Sequence, residues 1–143
     1  LIQYINIRGI KYHGKSKRNN IRYEFFMIPF QFNIDIIDEL EKAFPSYKLT
    51  TPQFVINELK GLKRNQKGKT RVEAGLALKY AQSFKIKIKN ISLQEKETVD
   101  DALIRVSKVL ATNDKELTQR AKNQGRTIVY LRQKRYVAVD GYI

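Results

Sequence analysis

Residues 109–117 read Val-Leu-Ala-Thr-Asn-Asp-Lys-Glu-Leu, and this stretch decides the class of fold. Its first four residues predict a short buried strand, and Asp114 then begins a helix that Gly125 ends. Similar strand and helix candidates alternate along the rest of the chain. We therefore expect an α/β fold in which a parallel sheet is covered by helices on both faces.

The other elements follow from hydrophobic periodicity and from helix start and stop signals. Apolar runs predict strands over 25–28, 47–50, 84–89, 127–131 and 136–139, and helical spacing predicts helices over 35–44, 70–83 and 98–108. A further helix begins at Thr51-Pro52, because Thr caps free N–H groups and Pro fits the first turn. In the helix over 70–83, we expect Val72, Leu76 and Tyr80 to form the packed face.

The composition predicts one domain with a polyanionic partner. The chain has 143 residues, with 28 Lys and Arg against 14 Asp and Glu, a net charge of +14. Nucleic acid is the expected partner, and an acidic membrane surface is the alternative. The absence of Cys excludes disulfides and thiolate metal sites, and a single His excludes a His-rich zinc site. With no secretory signal or membrane-spanning run, we expect a cytoplasmic protein.

Acidic residues follow the predicted strands at positions where an active site can form. Glu58 lies on the helix after the strand over 47–50, Asp100 and Asp101 begin the helix over 98–108, and Asp114 follows the strand over 109–112. Functional residues of parallel sheets gather at the carboxyl ends of strands. Clustered carboxylates repel unless a cation lies among them, and oxygen ligands select Mg²⁺ or Mn²⁺. The alternative is that these acids only interact with helix dipoles.

Several ordered motifs resemble those of PIN domains, of the archaeal branch close to the eukaryotic small-subunit processome nucleases. They are Phe-Met-Ile-Pro-Phe-Gln-Phe at 26–32, Thr-Pro at 51–52 with Val-Ile-Asn-Glu-Leu at 55–59, Val-Asp-Asp-Ala-Leu-Ile at 99–104, Ala-Thr-Asn-Asp-Lys-Glu-Leu at 111–117, and Ile-Val-Tyr-Leu-Arg-Gln-Lys at 128–134. The resemblance covers about residues 25–140.

The resemblance implies a three-layer α/β/α sandwich and Mg²⁺- or Mn²⁺-dependent cleavage of single-stranded RNA. Glu58, Asp101 and Asp114 would be the catalytic acids, and the same residues with Asp100 would hold the metal ion. Thr112 and Asn113 would shape the turn that presents Asp114.

The family's first strand ends in Asp-Thr-Asn, and its Asp is the central metal ligand. Here Arg22, Tyr23 and Glu24 stand at those positions, and a guanidinium cannot coordinate a cation. Residues 17–20 are also polar where a buried strand is expected. Permitted codons for residues 20–26, read one base later, give Ile-Leu-Asp-Thr-Asn-Phe, and those for 17–19 can give Lys-Glu-Ile. We therefore interpret residues 1–23 as a basic segment of doubtful reading frame and 24–143 as the PIN-like domain.

Basic residues indicate where RNA would lie. Residues 60–71 hold six positive side chains and no acid, and we expect their centre to be a flexible loop beside Glu58. The expected RNA-binding residues are Lys60, Lys63, Arg64, Lys67, Lys69, Arg71, Arg132, Lys134 and Arg135. The alternative for the loop is a solvated charged surface. Even without the six positive residues of 1–22, the balance stays strongly positive.

Two functions fit these observations, each with ribosomal RNA or a ribosomal subunit as the expected partner. With Asp at position 22, the protein would be an endoribonuclease of ribosomal RNA processing. With Arg22, it would be a degenerate, non-catalytic ribosome-associated protein without a metal cofactor. A VapC-type toxin ribonuclease is the alternative family interpretation.

Overall fold

A computed structural model describes residues 3–5, 11–13 and 17–141 of the chain. The described strands are β1 (Gln3–Ile5), β2 (Lys11–His13), β3 (Arg18–Ile21), β4 (Lys48–Pro52), β5 (Lys87–Lys89), β6 (Val109–Ala111), β7 (Thr127–Arg132) and β8 (Tyr136–Asp140). The described helices are α1 (Tyr23–Phe32), α2 (Ile36–Ala43), α3 (Gln53–Asn65), α4 (Gly68–Ala81), α5 (Val99–Val106) and α6 (Lys115–Asn123).

The main sheet has the order β5-β4-β3-β6-β7-β8, and only β8 runs antiparallel to its neighbour. The predicted α/β sandwich around a mainly parallel sheet is thereby confirmed. From β3 the chain builds the sheet outward through β4 and β5, and then returns to the other side of β3 with β6. A crevice forms where the direction of strand order reverses, outside the carboxyl ends of β3 and its neighbours. No helix in the described part of the chain is both long and apolar enough to cross a membrane.

The central strand β3 carries two buried asparagines. Asn20 donates to Ser107 Oγ at 3.0 Å and accepts a hydrogen bond from the Thr50 hydroxyl. Asn19 is fully buried, and neither its Nδ2 nor its Oδ1 has a hydrogen-bond partner. A buried amide without hydrogen-bond partners costs free energy of folding, so Asn19 is an unfavourable residue at this position of the central strand.

The predicted strand over 25–28 is wrong, because these residues lie in α1, where all four are buried. A short apolar run cannot be distinguished from a buried helix segment by periodicity alone. Pro29 lies inside α1 rather than ending an element, and the helix continues to Phe32, followed by Asn33 in the left-handed conformation.

Further details differ from the sequence predictions. Of the strand predicted over 84–89, only Lys87–Lys89 forms β5. Val72 and Leu76 are exposed, and α4 instead packs through residues that include Ala74, Ala77 and Leu78, because small side chains allow α4 to approach α1 and α3 closely. Thr51 belongs to β4 and donates its hydroxyl to Ile21 O at 2.8 Å, so it does not cap α3. Of the predicted basic N-terminal segment, Arg8 and Lys15 lie outside the described residues.

Candidate functional site

The site lies at the carboxyl edge of the sheet, where Arg22 directly follows the central strand. Arg22 N–H donates to Ala111 O at 3.0 Å, which continues the pairing of β3 with β6 by one residue. The first turn of α1 presents Glu24, the turn after β6 presents Asp114, and the first turn of α5 presents Asp100. Three separate segments therefore direct carboxylates toward the end of β3.

The Arg22 guanidinium lies among these three carboxylates, and we call the four side chains the Arg22 cluster. Its Nη2 is 3.1 Å from Asp100 Oδ1, and its Nε donates to the same oxygen at 3.2 Å. Its Nη1 is 3.3 Å from Asp114 Oδ2 and 3.4 Å from Glu24 Oε2. Only 11% of the Arg22 side chain is exposed, whereas Asp100 and Asp114 are partly exposed, so these contacts are partly shielded from water.

The charges of the cluster act on one another. Burial by itself would lower the pKa of Arg22, but Glu24, Asp100 and Asp114 outweigh it and raise the pKa. Burial raises the pKa of Glu24, and the Arg22 guanidinium opposes that rise. The guanidinium carbon also lies 5.0 Å from the centre of the Tyr23 ring, a cation–π contact that orients both groups. Arg22 is therefore held as a cation by every neighbour it contacts.

Glu24 stabilises, through hydrogen bonds, the turn that presents Asp114. Its Oε1 accepts hydrogen bonds from the Thr112 hydroxyl and from Asn113 N–H, the latter at 2.9 Å. The Asn113 side chain bonds both backbone groups of Leu131, at 3.0 and 2.7 Å. Asp114 uses Oδ1 to cap α6 and Oδ2 to contact Arg22. The turn is thus fixed between α1, β7 and α6.

Glu58 lies on α3 next to the cluster, and its Oε1 is buried without a hydrogen-bond partner. Burial raises the pKa of Glu58 to about 7; Arg22 lowers it, while Asp100 and Glu24 raise it further. Near neutral pH, this carboxyl is therefore divided between its neutral and charged forms.

Asp101 is directed elsewhere. It forms a capping box with Thr98, accepting from Thr98 N–H at 3.3 Å while its own N–H donates to Thr98 Oγ1 at 3.1 Å, and it pairs with Arg120. These bonds lower the pKa of Asp101. Adjacent helix residues point about 100° apart, so Asp100 faces the cluster and Asp101 does not. The expectation that Asp101 joins Glu58 and Asp114 at one site does not match this geometry.

The residues present do not fit a divalent ion. The space between Glu24, Asp100 and Asp114 is filled by the Arg22 guanidinium, which already neutralises part of their charge. Within residues 17–141, no group of three His, Cys, Asp or Glu side chains is arranged to hold a metal ion. Arg22 takes the position that a cation would need.

The expected RNA-binding residues form two basic surfaces. We call the first the α3–α4 surface; it carries Lys60, Lys63, Arg64, Lys67, Lys69 and Arg71. The prediction of a flexible loop here is wrong, because only Gln66 and Lys67 separate α3 from α4. The other, the β7–β8 turn, follows the strand that Asn113 bonds; it carries Arg132, Lys134 and Arg135. Lys134 Nζ lies 5.6 Å from the centre of the Phe32 ring.

Sequence reasoning missed two roles at this site. Arg22 stands where the family has a metal ligand, but nothing in the sequence shows that its guanidinium contacts three carboxylates. Sequence reasoning also left Glu24 without a role, although Glu24 bonds the turn beside Asp114. The spacing of Thr98 and Asp101 is that of a capping box, and this local signal indicates that Asp101 bonds the start of α5.

The chain resembles named ribonucleases. It is 31% identical to Ribonuclease VapC9 of Archaeoglobus fulgidus over 111 residues, covering 74% of this chain and 76% of that protein. It is 28% identical to Ribonuclease VapC4 of Methanocaldococcus jannaschii over 129 residues, covering 83% of this chain and 93% of the relative.

A structural match and a family match point in the same direction as these relatives. The structure of the PIN domain endonuclease Utp24 superposes with a TM-score of 0.71 at 20% identity, covering 91% of this chain and 96% of that one. This likeness concerns the fold. Residues 21–134 match the family described as PIN like domain. On this match and the identity to VapC9, the chain belongs to the PIN like domain family.

Proposed function

We propose that the chain, with Arg22 in place, is an RNA-binding PIN-domain protein that associates with ribosomal RNA and does not cut it. The observation that carries this proposal is the position of the Arg22 guanidinium among Glu24, Asp100 and Asp114. Three carboxylates against one guanidinium leave the cluster negative, so it repels a phosphate. RNA backbone must instead contact the α3–α4 surface and the β7–β8 turn.

The test is binding of single-stranded and ribosomal RNA over a series of salt concentrations. We expect the affinity to fall steeply with salt, because each neutralised phosphate of a single strand adds about 0.7 to the log–log slope. Replacing Lys60, Lys63 and Arg64 by Gln should reduce that slope. Salt-sensitive co-sedimentation with ribosomal subunits supports the proposal, and salt-independent or absent RNA binding contradicts it.

A second candidate is a metal-dependent ribonuclease of the VapC type, with Asp at position 22. Two observations favour it besides the VapC relatives. Asn19 is buried without partners in a central strand, where the shifted reading frame would supply Ile. The family match begins only at residue 21, at the end of β3. Both are expected if residues before about 24 are read out of frame.

The two candidates are separated by the chemical identity of residues 17–24. Resequencing of the source gene and the intact mass of the expressed protein show whether Asp-Thr-Asn or Arg-Tyr-Glu stands at positions 22–24. If Arg22 is confirmed, the out-of-frame candidate is excluded and the RNA-binding proposal stands. If Asp is found, cleavage of single-stranded RNA with Mn²⁺, abolished by Asp114→Asn, is the expected activity.

A further inference from the structure

A cleft opens beside the Arg22 cluster, between the start of α1 and the second half of α3. It has a volume of about 270 Å³ and is lined by Tyr23, Glu58, Gly61, Leu62, Asn65 and Gln66. Clefts for drug-sized ligands run to about 300–1,000 Å³, so this one suits a smaller, flat group. None of these residues belongs to the salt-bridged cluster itself.

Gly61 keeps this cleft open. It lies in the interior of α3, where Gly is less favourable than Ala. A Cβ at Gly61 would meet no atom within 4 Å, so close packing does not require glycine there. Gly61 also lacks the positive φ that would demand it. Because Gly61 has no side chain, the space above the helix at this position stays free.

The walls of the cleft have the chemistry that recognises a nucleobase. The Arg22 guanidinium lies over one side of the Tyr23 ring. The ring also lines the cleft, where Leu62 adds apolar surface. Asn65 and Gln66 are exposed amides, each able to donate to and accept from a base edge. Aromatic stacking combined with hydrogen bonds to base edges is how proteins bind the unstacked bases of single-stranded RNA.

The surroundings of the cleft suit the rest of the RNA strand. Lys60, Lys63 and Arg64 lie on the same helix as Gly61, within one turn of it. A base that enters the cleft therefore brings its flanking phosphates to a basic helix. A base within a duplex cannot enter, because its faces are stacked and its edge is paired.

We propose that this α1–α3 cleft is a subsite for one unstacked nucleobase of single-stranded RNA, which stacks on Tyr23. The inference rests on the proposed RNA binding of the chain with Arg22 and Tyr23 in place, and it adds the part of the RNA that is recognised.

The test places a larger side chain at Gly61, so that it occupies the cleft. Gly61→Leu is compared with Gly61→Ala, with Gly75→Ala on α4 as a matched control for replacing a helical glycine, and unfolding by circular dichroism verifies each fold. The probes are a short single-stranded oligoadenylate that carries a central 2-aminopurine, and a strand of the same length with abasic sites. Tyr23→Ala and Tyr23→Phe form a second pair, which removes the ring or keeps it.

We expect Gly61→Leu and Tyr23→Ala to weaken binding of the base-bearing strand about tenfold or more, the effect of losing one stacked base. Both variants should also abolish the change in 2-aminopurine fluorescence that binding produces. Gly75→Ala and Tyr23→Phe should bind the base-bearing strand almost as the unaltered chain does, and Gly61→Leu and Tyr23→Ala should leave binding of the abasic strand almost unchanged. Equal binding by Gly61→Leu and the unaltered chain overturns the subsite, as does an equal loss for both strands. If neither strand binds the unaltered chain, the proposed function fails as well.

Discussion

The Arg22 guanidinium contacts Asp100 through two nitrogens, with Nη2 3.1 Å from Oδ1 and Nε donating to the same oxygen at 3.2 Å. This pairing joins the end of the central strand to the first turn of α5, elements that are far apart in sequence. Asp114 and Glu24 contact the same guanidinium from two other directions. A fixed cation thus stabilises a group of acids that would otherwise repel one another.

Arg22→Gln should destabilise the fold by about 1–3 kcal/mol at pH 7, because it leaves three carboxylates facing one another without a cation. The partial exposure of Asp100 and Asp114 keeps the loss below that of a fully buried pair. Chemical denaturation measures it. The difference from the unaltered chain should shrink as the pH falls and Glu24, whose pKa is raised by burial and lowered by Arg22, takes up a proton. Equal stability of the two chains across this pH range would show that Arg22 does not hold the acids together.

Glu58→Gln should remove part of the pH dependence of stability. The ordinary pKa of 4.5 is raised to about 7 in the folded chain, so between these values the folded state binds a proton that the unfolded state lacks. This contribution is fully present below pH 4.5 and is lost as the pH rises to 7. The variant should therefore be more stable than the unaltered chain by about 1–3 kcal/mol at pH 8, with little difference at pH 4.5.

Thermal unfolding at both pH values checks this prediction, with the exposed Glu95→Gln as the control for removing one carboxylate. A Glu58→Gln chain that is less stable at pH 8 would mean that the charged form of Glu58 is stabilised by a neighbour.

Asn19→Val and Asn20→Val should shift stability in opposite directions. Asn19 Nδ2 and Oδ1 have no partners, so valine should raise the free energy of unfolding by about 1–3 kcal/mol. Asn20 bonds Ser107 and Thr50, so its replacement leaves buried partners unsatisfied and should lower it by a similar amount. Urea unfolding of both chains gives the two signs. A loss of stability in Asn19→Val would show that its amide is satisfied in solution.

Asp100 and Asp101 should be separable when Arg22 is replaced by Asp. Asp100 faces position 22, so Asp100→Asn should weaken Mn²⁺ binding by the Arg22→Asp chain. Asp101 completes the capping box of α5 and pairs with Arg120, so Asp101→Asn should lower stability slightly and leave Mn²⁺ binding unchanged. Calorimetric titration with Mn²⁺ measures the affinities. If Asp101→Asn reduces the Mn²⁺ affinity more than Asp100→Asn does, the assignment of the two residues is reversed.

The sequence predicts a mainly parallel sheet, because strand and helix candidates alternate and most apolar runs are followed by helix start signals. The helix after Asp114 is an example, since its cap and its glycine stop are both local. The identity of the segment over 25–28 depends on tertiary packing, since a buried helix and a buried strand are equally apolar. Likewise, the meeting of Arg22 with acids some 80 residues later depends on strand order, which local patterns do not specify.

The central claim is that Arg22 takes the position of a cation in the carboxylate site. Its most direct test is calorimetric titration with Mn²⁺ of the unaltered chain beside Arg22→Asp. We predict no saturable binding by the unaltered chain and stoichiometric binding by Arg22→Asp, which Mn²⁺ should also stabilise by about 2.7 kcal/mol at 100 times its Kd. Mn²⁺ binding by the unaltered chain that Asp114→Asn abolishes would contradict the claim.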